Sequence, residues 1–200
     1  MRPLAGALAA LGVALLVAAP AAASLRPDLT TEAGGTFGIN AEPDGGGFSL
    51  ALAATWPVEP PFGLFGGLRF GLMGFSDDMG SEEIRLQDPN DPSIDLGPAE
   101  GAHRMTWGGA WRLDATLPAS WWGWTPAGNA TWGVWRVQDD VRGEIQHAVT
   151  STGFGLGLGV ERPLTPRHTI GLGVRYQRLF NDTVGRYMSG GLSWRWNLGI

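Results

Sequence analysis

Three histidines, His103, His147 and His168, are the residues of this chain best suited to proton transfer near neutral pH. Ser151 and Glu144 lie close to His147 in sequence. Together they contain the residue types of an acyl-transfer triad, in which a base activates a hydroxyl and a carboxylate orients the base. The spacing argues against it. In an extended chain the residue two positions on shares a face, and there His103 is followed by Met105 and His147 by Val149. His168 follows the turn-like Pro163–Arg167 segment and is expected to be structurally ordinary. Solvated loop histidines are the preferred reading, and no catalytic residue is expected.

A second cluster is acidic. The Ser76–Ala102 stretch carries Asp77, Asp78, Glu82, Glu83, Asp88, Asp91, Asp95 and Glu100 against Arg85 alone. Asp88, Asn90, Asp91, Ser93 and Asp95 could gather oxygen ligands around calcium. Pro89 and Pro92 and the missing glycine do not fit an EF-hand loop. The stretch is expected to be a solvated loop that binds divalent cations loosely or meets an external partner, with no defined metal site and no cofactor.

A third set consists of charges at alternating positions between apolar residues: Arg69, Arg112, Asp114, Glu161, Arg175 and Arg195, with Gln177 and Asn197 in the same phase. Period-two alternation belongs to β-strands. The pattern is clearest from Met188 to Ile200, where Met188, Gly190, Leu192, Trp194, Trp196, Leu198 and Ile200 alternate with Ser189, Gly191, Ser193, Arg195, Asn197 and Gly199. Phe154, Leu156, Leu158 and Val160 alternate with Gly153, Gly155, Gly157, Gly159 and Glu161, and Ile170, Leu172, Val174 and Tyr176 with Gly171, Gly173, Arg175 and Gln177. Further strands are expected at Thr36–Ala41, Phe48–Trp56, Gly67–Phe75, Arg104–Ala115 and near Ala130–Val137. In the last of these the facing is ambiguous, because Trp132 and Val134 have one parity and Trp135 and Val137 the other. The result is eight strands of roughly the length that crosses a bilayer when tilted.

The amino terminus predicts how such strands reach a membrane. Met1-Arg2, an uncharged Leu4–Ala19 run and Ala21-Ala22-Ala23 before Ser24 have the form of a secretory signal peptide, residues 1–23, leaving a single domain over 24–200. The chain has no cysteine, so no disulfide framework and no thiol chemistry. A net charge of -5 argues against nucleic acid as a partner. No later segment is a long apolar run, so membrane insertion requires a closed barrel, the other structure that satisfies every backbone group in lipid. Pro57–Pro61 and Pro163–Arg167 read as tight turns, and Ser76–Ala102 and Asp139–Thr150 as long outer loops. Pro118–Gly128 is long for a turn unless Ala119–Trp124 extends the strands.

Ten tryptophans fit aromatic belts at the two membrane–water boundaries. Trp56, Trp121, Trp122, Trp124, Trp194 and Trp196 fall at the turn ends; Trp107, with Trp135, Phe75, Phe180 and Tyr187, falls at the opposite ends. An eight-stranded barrel has room inside for little more than side chains. The inward charges should therefore pair as an Arg–carboxylate network plugging the lumen, with the glycine rows making space.

On these features the chain resembles the small outer-membrane β-barrel proteins, the class that includes the OmpA transmembrane domain and the OmpX type. The resemblance covers most of Thr31–Ile200 and rests on signal peptide, eight amphipathic strands and terminal strand. It implies an all-β, eight-stranded antiparallel up-and-down transmembrane barrel in the outer membrane of a Gram-negative envelope. It implies contact with outer-membrane lipid, and with the barrel-assembly machinery through the C-terminal strand. That strand ends on Ile200 where the class usually ends on an aromatic residue. Some barrels of this class are lipid A deacylases, with His and Ser two residues apart on one face; the pattern fails at His103 and His147. A structural or surface-interaction role without catalysis is expected. The alternatives are a lipid-modifying enzyme, a narrow porin-like pore, or a secreted lipocalin-like barrel with its apolar face turned inward around a ligand.

Overall fold

The computed structural model describes residues 26–38, 46–58, 65–78, 85–88, 91–98, 102–141, 144–180 and 185–198. The expected signal peptide, Ile39, Ala41 and the terminal Ile200 lie outside the described residues. The described strands are β1 (Asp28–Gly38), β2 (Gly46–Val58), β3 (Gly67–Asp78), β4 (Arg85–Asp88), β5 (Asp91–Pro98), β6 (Ala102–Thr116), β7 (Thr125–Val141), β8 (Glu144–Thr165), β9 (His168–Leu179) and β10 (Arg186–Trp196). Eight of them close an antiparallel barrel in the order β1-β10-β9-β8-β7-β6-β3-β2. Every neighbour in the sheet is also a neighbour in sequence, apart from the β4–β5 hairpin between β3 and β6 and the closure of β1 on β10. The eight-stranded up-and-down fold expected from the alternation is the fold observed.

Period-two patterning settles which face of each strand points inward. Leu158, Leu192, Phe37, Leu156, Trp132 and Leu172 project outward and are all more than half exposed. Thr30, Asp77, Arg112, Asp114, Arg175, Gln177 and Arg195 project inward and are buried. A barrel folding for water would place these two sets the other way round. In β7, Trp132 and Val134 face outward while Trp135 and Val137 are fully buried in the lumen, which resolves the ambiguity of that strand. Phe75 and Tyr187 also point inward and are buried, as does Trp135, so these three do not belong to an outer belt.

The structure corrects the sequence-based boundaries in four places. β1 begins at Asp28, not Thr36, because Asp28, Thr30 and Glu32 continue the inward phase of Thr36. Ser76–Ala102 is not simply a loop: β3 runs to Asp78, and β4 and β5 form a separate two-stranded hairpin with Gln87 opposite Asp95. Most of Asp139–Thr150 is also strand, since β7 and β8 continue to pair as far as Val141 and Glu144, with a shift of register between Asp139 and Asp140. These extensions lengthen β8 to 22 residues and carry a ribbon past the barrel wall. Finally, the Pro118–Gly128 joint contains a small hairpin. Trp121 and Trp124 exchange both backbone hydrogen bonds, at 2.8 and 2.9 Å. Trp122 (φ 51°) and Gly123 (φ 79°) sit between them in the left-handed region, the geometry of a tight two-residue turn.

Candidate functional site

Among the described residues, charge gathers in the lumen, and its members come from strands far apart in sequence. Glu32 on β1 is the hub of its lower half. Arg112 on β6 donates to Glu32 Oε1 through Nη1 and to Asp114 Oδ1 through Nε, at 2.5 and 2.7 Å. Arg175 on β9 donates through Nη2 to the other Glu32 oxygen and through Nε to Asn129 Oδ1 at 3.3 Å. Both guanidinium groups are thus held by a carboxylate on a third strand. Charge-assisted bonds of this kind are roughly twice as strong as neutral ones.

Two further pairs sit toward the turn end. Arg195 reaches both oxygens of Glu161 and also donates to Thr30 Oγ1 at 3.3 Å. Arg69 donates to Asp28 Oδ2 at 2.9 Å. At the opposite end Arg104 grips Asp139 through Nε and Nη2 at 2.7 and 3.0 Å, directly across the β6–β7 ladder. Arg112, Asp114 and Arg175 therefore meet around Glu32. Arg195 and Glu161 meet each other, and Arg69 meets an acid from outside the expected set. Asn197 lies past the end of β10, where its amide donates to the Pro166 carbonyl.

Glycine on β8 and β9 makes this packing possible. A Cβ on Gly157 would lie 2.5 Å from Asn129 Nδ2, and one on Gly155 would lie 2.5 Å from Thr131 Oγ1 and 3.4 Å from Arg175 Cδ. A side chain at these positions would force Asn129 and Thr131 to move. A cavity of about 70 Å³ remains beside the network, lined by Glu32, Arg112, Asp114, Asn129 and Arg175 among others. A water molecule needs at least about 10–15 Å³ of such space, so a few fit.

Above the charges the lumen changes character. Met73, Phe75, Trp135, Val137, Leu179 and Tyr187 pack into an apolar layer, with the Phe75 and Trp135 rings 5.2 Å apart. One carboxylate is embedded in it. Asp77 accepts from Ser49 Oγ at 2.5 Å, Tyr187 Oη at 2.7 Å and Gln177 Nε2 at 3.4 Å, while Gln177 Oε1 accepts from Trp135 Nε1 at 3.1 Å. Asp77 thus leaves the acidic loop to which its sequence neighbours assign it. Asp28, Glu32, Asp77, Arg104 and Asp139 were not among the expected lumen residues. Arg104 lies within an expected strand in the phase of Arg112, and the four acids were accessible by continuing the strand alternation two or more positions further.

Trp56 lies opposite Phe70 near the turn end, and Trp194, Trp196 and the His168 ring cluster there at centroid distances of 5.5–6.4 Å. Trp121 and Trp122, stacked 4.5 Å apart, are 71% and 80% exposed on the small hairpin, with Trp124 beside Arg162. Trp107 faces outward, opposite Arg136, on the other side of the barrel's apolar band. His103 is exposed on the outer face of β6, while Ser151 is buried in the lumen and donates to the Thr152 carbonyl. Those two residues therefore lie on opposite faces of the wall. The side chains of Glu144 and His147 lie outside the described residues, as do most of those in β4 and β5.

No protein-family model and no curated protein sequence matches this chain. Among solved structures, the crystal structure of Neisserial surface protein A is similar, with a TM-score of 0.63 and 15% identity over 86% of this chain and 97% of that one. Ail, the attachment invasion locus protein of Yersinia pestis, aligns over 86% of this chain and 99% of its own in two structures. One, in complex with the heparin analogue sucrose octasulfate, gives a TM-score of 0.45 at 9% identity; the other, in a phospholipid bilayer nanodisc, gives 0.41 at 12%. At such identities the likeness to Neisserial surface protein A is one of architecture: this chain folds as the small eight-stranded outer-membrane barrels do.

Proposed function

We propose that this protein spans the outer membrane of a Gram-negative envelope as a non-catalytic barrel with a plugged lumen, and that the hairpins beyond its wall act at the cell surface in structural or interaction roles. One observation carries the reading: charged and polar side chains are buried inside while Leu158, Leu192 and Leu172 stand exposed outside. Water penalises the outer surface and hydrocarbon accepts it. The lipocalin-like alternative requires the reverse facing.

The plug reading is supported by the stacked order of the lumen. The apolar layer around Phe75 and Trp135 separates the ion pairs Asp28–Arg69, Glu32–Arg112–Arg175 and Glu161–Arg195 from Arg104–Asp139. The barrel-assembly machinery is the expected partner of the C-terminal strand, and outer-membrane lipid that of the outer wall. The test combines three measurements on the full-length protein. The folded form should run differently from the boiled form on a gel. Protease added to intact cells should cut between Asp78 and Ala102. Planar-bilayer recordings should show no sustained open level. Recovery of the native protein in the soluble fraction without detergent would overturn the membrane reading, and a steady conductance would overturn the plug.

A further inference from the structure

The outer wall carries a pair of like charges with no ion-pair partner among the described residues. Arg178 on β9 and Arg186 on β10 stand directly opposite one another in the antiparallel ladder. They share the outward phase of Tyr176 and Met188, and both are exposed. Directly opposed residues have Cβ atoms about 5 Å apart, and like charges in that position destabilise a sheet. Neither arginine has an ion-pair partner among the described residues. The connection between the two strands, outside those residues, contains a single acid, Asp182, so the three groups together still carry a net positive charge.

The surroundings indicate what can. The pair occupies the first rungs below the β9–β10 connection, where Leu179 N bonds Gly185 O at 2.8 Å, at the end from which the β7–β8 ribbon projects. Below it the outward face turns wholly apolar: Tyr176 opposite Met188, Val174 opposite Gly190, Leu172 opposite Leu192. Gly190 also faces Gly35 on β1, where the Phe37 ring lies against Gly35 and Val174 against Gly190. Beside Arg178, Phe154 and Phe180 pack 6.0 Å apart. Two arginines at the boundary of an apolar band match a molecule with an anionic head and an acyl tail.

We propose that Arg178 and Arg186 together bind the phosphate of an anionic membrane lipid in the leaflet on the projecting-ribbon side, its acyl chains lying against the apolar outward face below the pair. Arginine suits this role because its planar fork of donors matches phosphate oxygens. A phosphate between the two guanidinium groups turns a repulsion into a bridge. The site rests on the membrane-spanning reading above.

The test uses full-length protein refolded into bicelles of an uncharged lipid and titrated with short-chain phosphatidic acid. The thermal unfolding midpoint is read from the heat-dependent gel shift. The wild type should be stabilised in a saturable manner, and the R178Q/R186Q double variant should lose affinity by on the order of tenfold or more. R162Q/R167Q, which removes two exposed arginines at the opposite end, should respond like the wild type. Inorganic phosphate at equal concentration should give no shift, since it lacks the acyl chain. An unchanged response in R178Q/R186Q overturns the proposal, and so does equal stabilisation by inorganic phosphate. Failure of the wild type to enter bicelles at all overturns the membrane reading itself, an outcome distinct from insertion without arginine-dependent binding.

Discussion

Glu32 shows how a single side chain can hold a lumen together. It is the carboxylate shared by Arg112 and Arg175, two cations from β6 and β9. Removing one partner of a buried pair leaves an uncompensated charge, at about 3–5 kcal/mol. Glu32→Ala leaves Arg175 with no carboxylate and Arg112 with Asp114 alone, and should destabilise the barrel by about that amount in urea titrations of lipid-refolded protein. Asp28→Ala, which releases only the half-buried Arg69, should cost much less. Equal losses in the two variants would show that the hub carries no special weight. Asp77 makes the complementary case. Its partners Ser49, Tyr187 and Gln177 are neutral donors. Asp77→Leu would leave three buried donors unmatched, each costing about 1–3 kcal/mol, whereas Asp77→Asn keeps acceptor capacity and should cost a fraction of that in the same titration. The expected arginines were legible because each interrupts an alternating apolar run. Their acids were harder to see: Glu32 lies in a Thr- and Gly-rich stretch with a weak apolar phase, and Asp77 is followed by an acidic run that reads as solvent-exposed.

At the scale of the strand, the glycines of β8 decide whether the network fits. Gly153, Gly155, Gly157 and Gly159 occupy the inward phase opposite the outward Phe154, Leu156 and Leu158. At Gly157 an added Cβ meets the Asn129 amide, and through it Arg175. Gly157→Val should therefore lower stability by about 1–3 kcal/mol through overpacking, although valine is by far the better strand former. If unfolding experiments show Gly157→Val to be stabilising, propensity outweighs lumen packing and the account of the glycine rows is wrong. Alternation made the core of each strand readable from sequence, because a one-residue slip would exchange the lumen and wall faces. Strand ends were another matter. Nothing in the alternation marks where β7 and β8 leave the wall, since ladder hydrogen bonds continue through Asp139, Val141 and Glu144 whatever surrounds the ribbon. The β4–β5 hairpin, with its prolines and acids, carries almost no strand signal and owes its form to local pairing.

The whole molecule is defined by an inversion of the usual order, and that inversion makes the sharpest prediction. Leu172 lies near the centre of β9, flanked across the ladders by Val160 and Leu192, and is 55% exposed. In a water-soluble protein an exposed leucine is a permissive site, and its replacement by arginine shifts stability by no more than about 0.5 kcal/mol. In a bilayer the same position sits in hydrocarbon, where arginine at the midplane of a barrel wall costs about 2–4 kcal/mol and progressively less toward the interfaces. Leu172→Arg should therefore cost several kcal/mol in lipid, while arginine at Leu164, exposed near the turn end of β8, should cost less than about 1 kcal/mol. Depth dependence is the essential feature, because simple loss of packing does not follow distance from the midplane. Reversible urea unfolding in vesicles of one fixed thickness measures both variants against the wild type. A pair of equal, small losses would mean that water, not lipid, surrounds the wall, and the reason for placing charge inside this barrel would disappear.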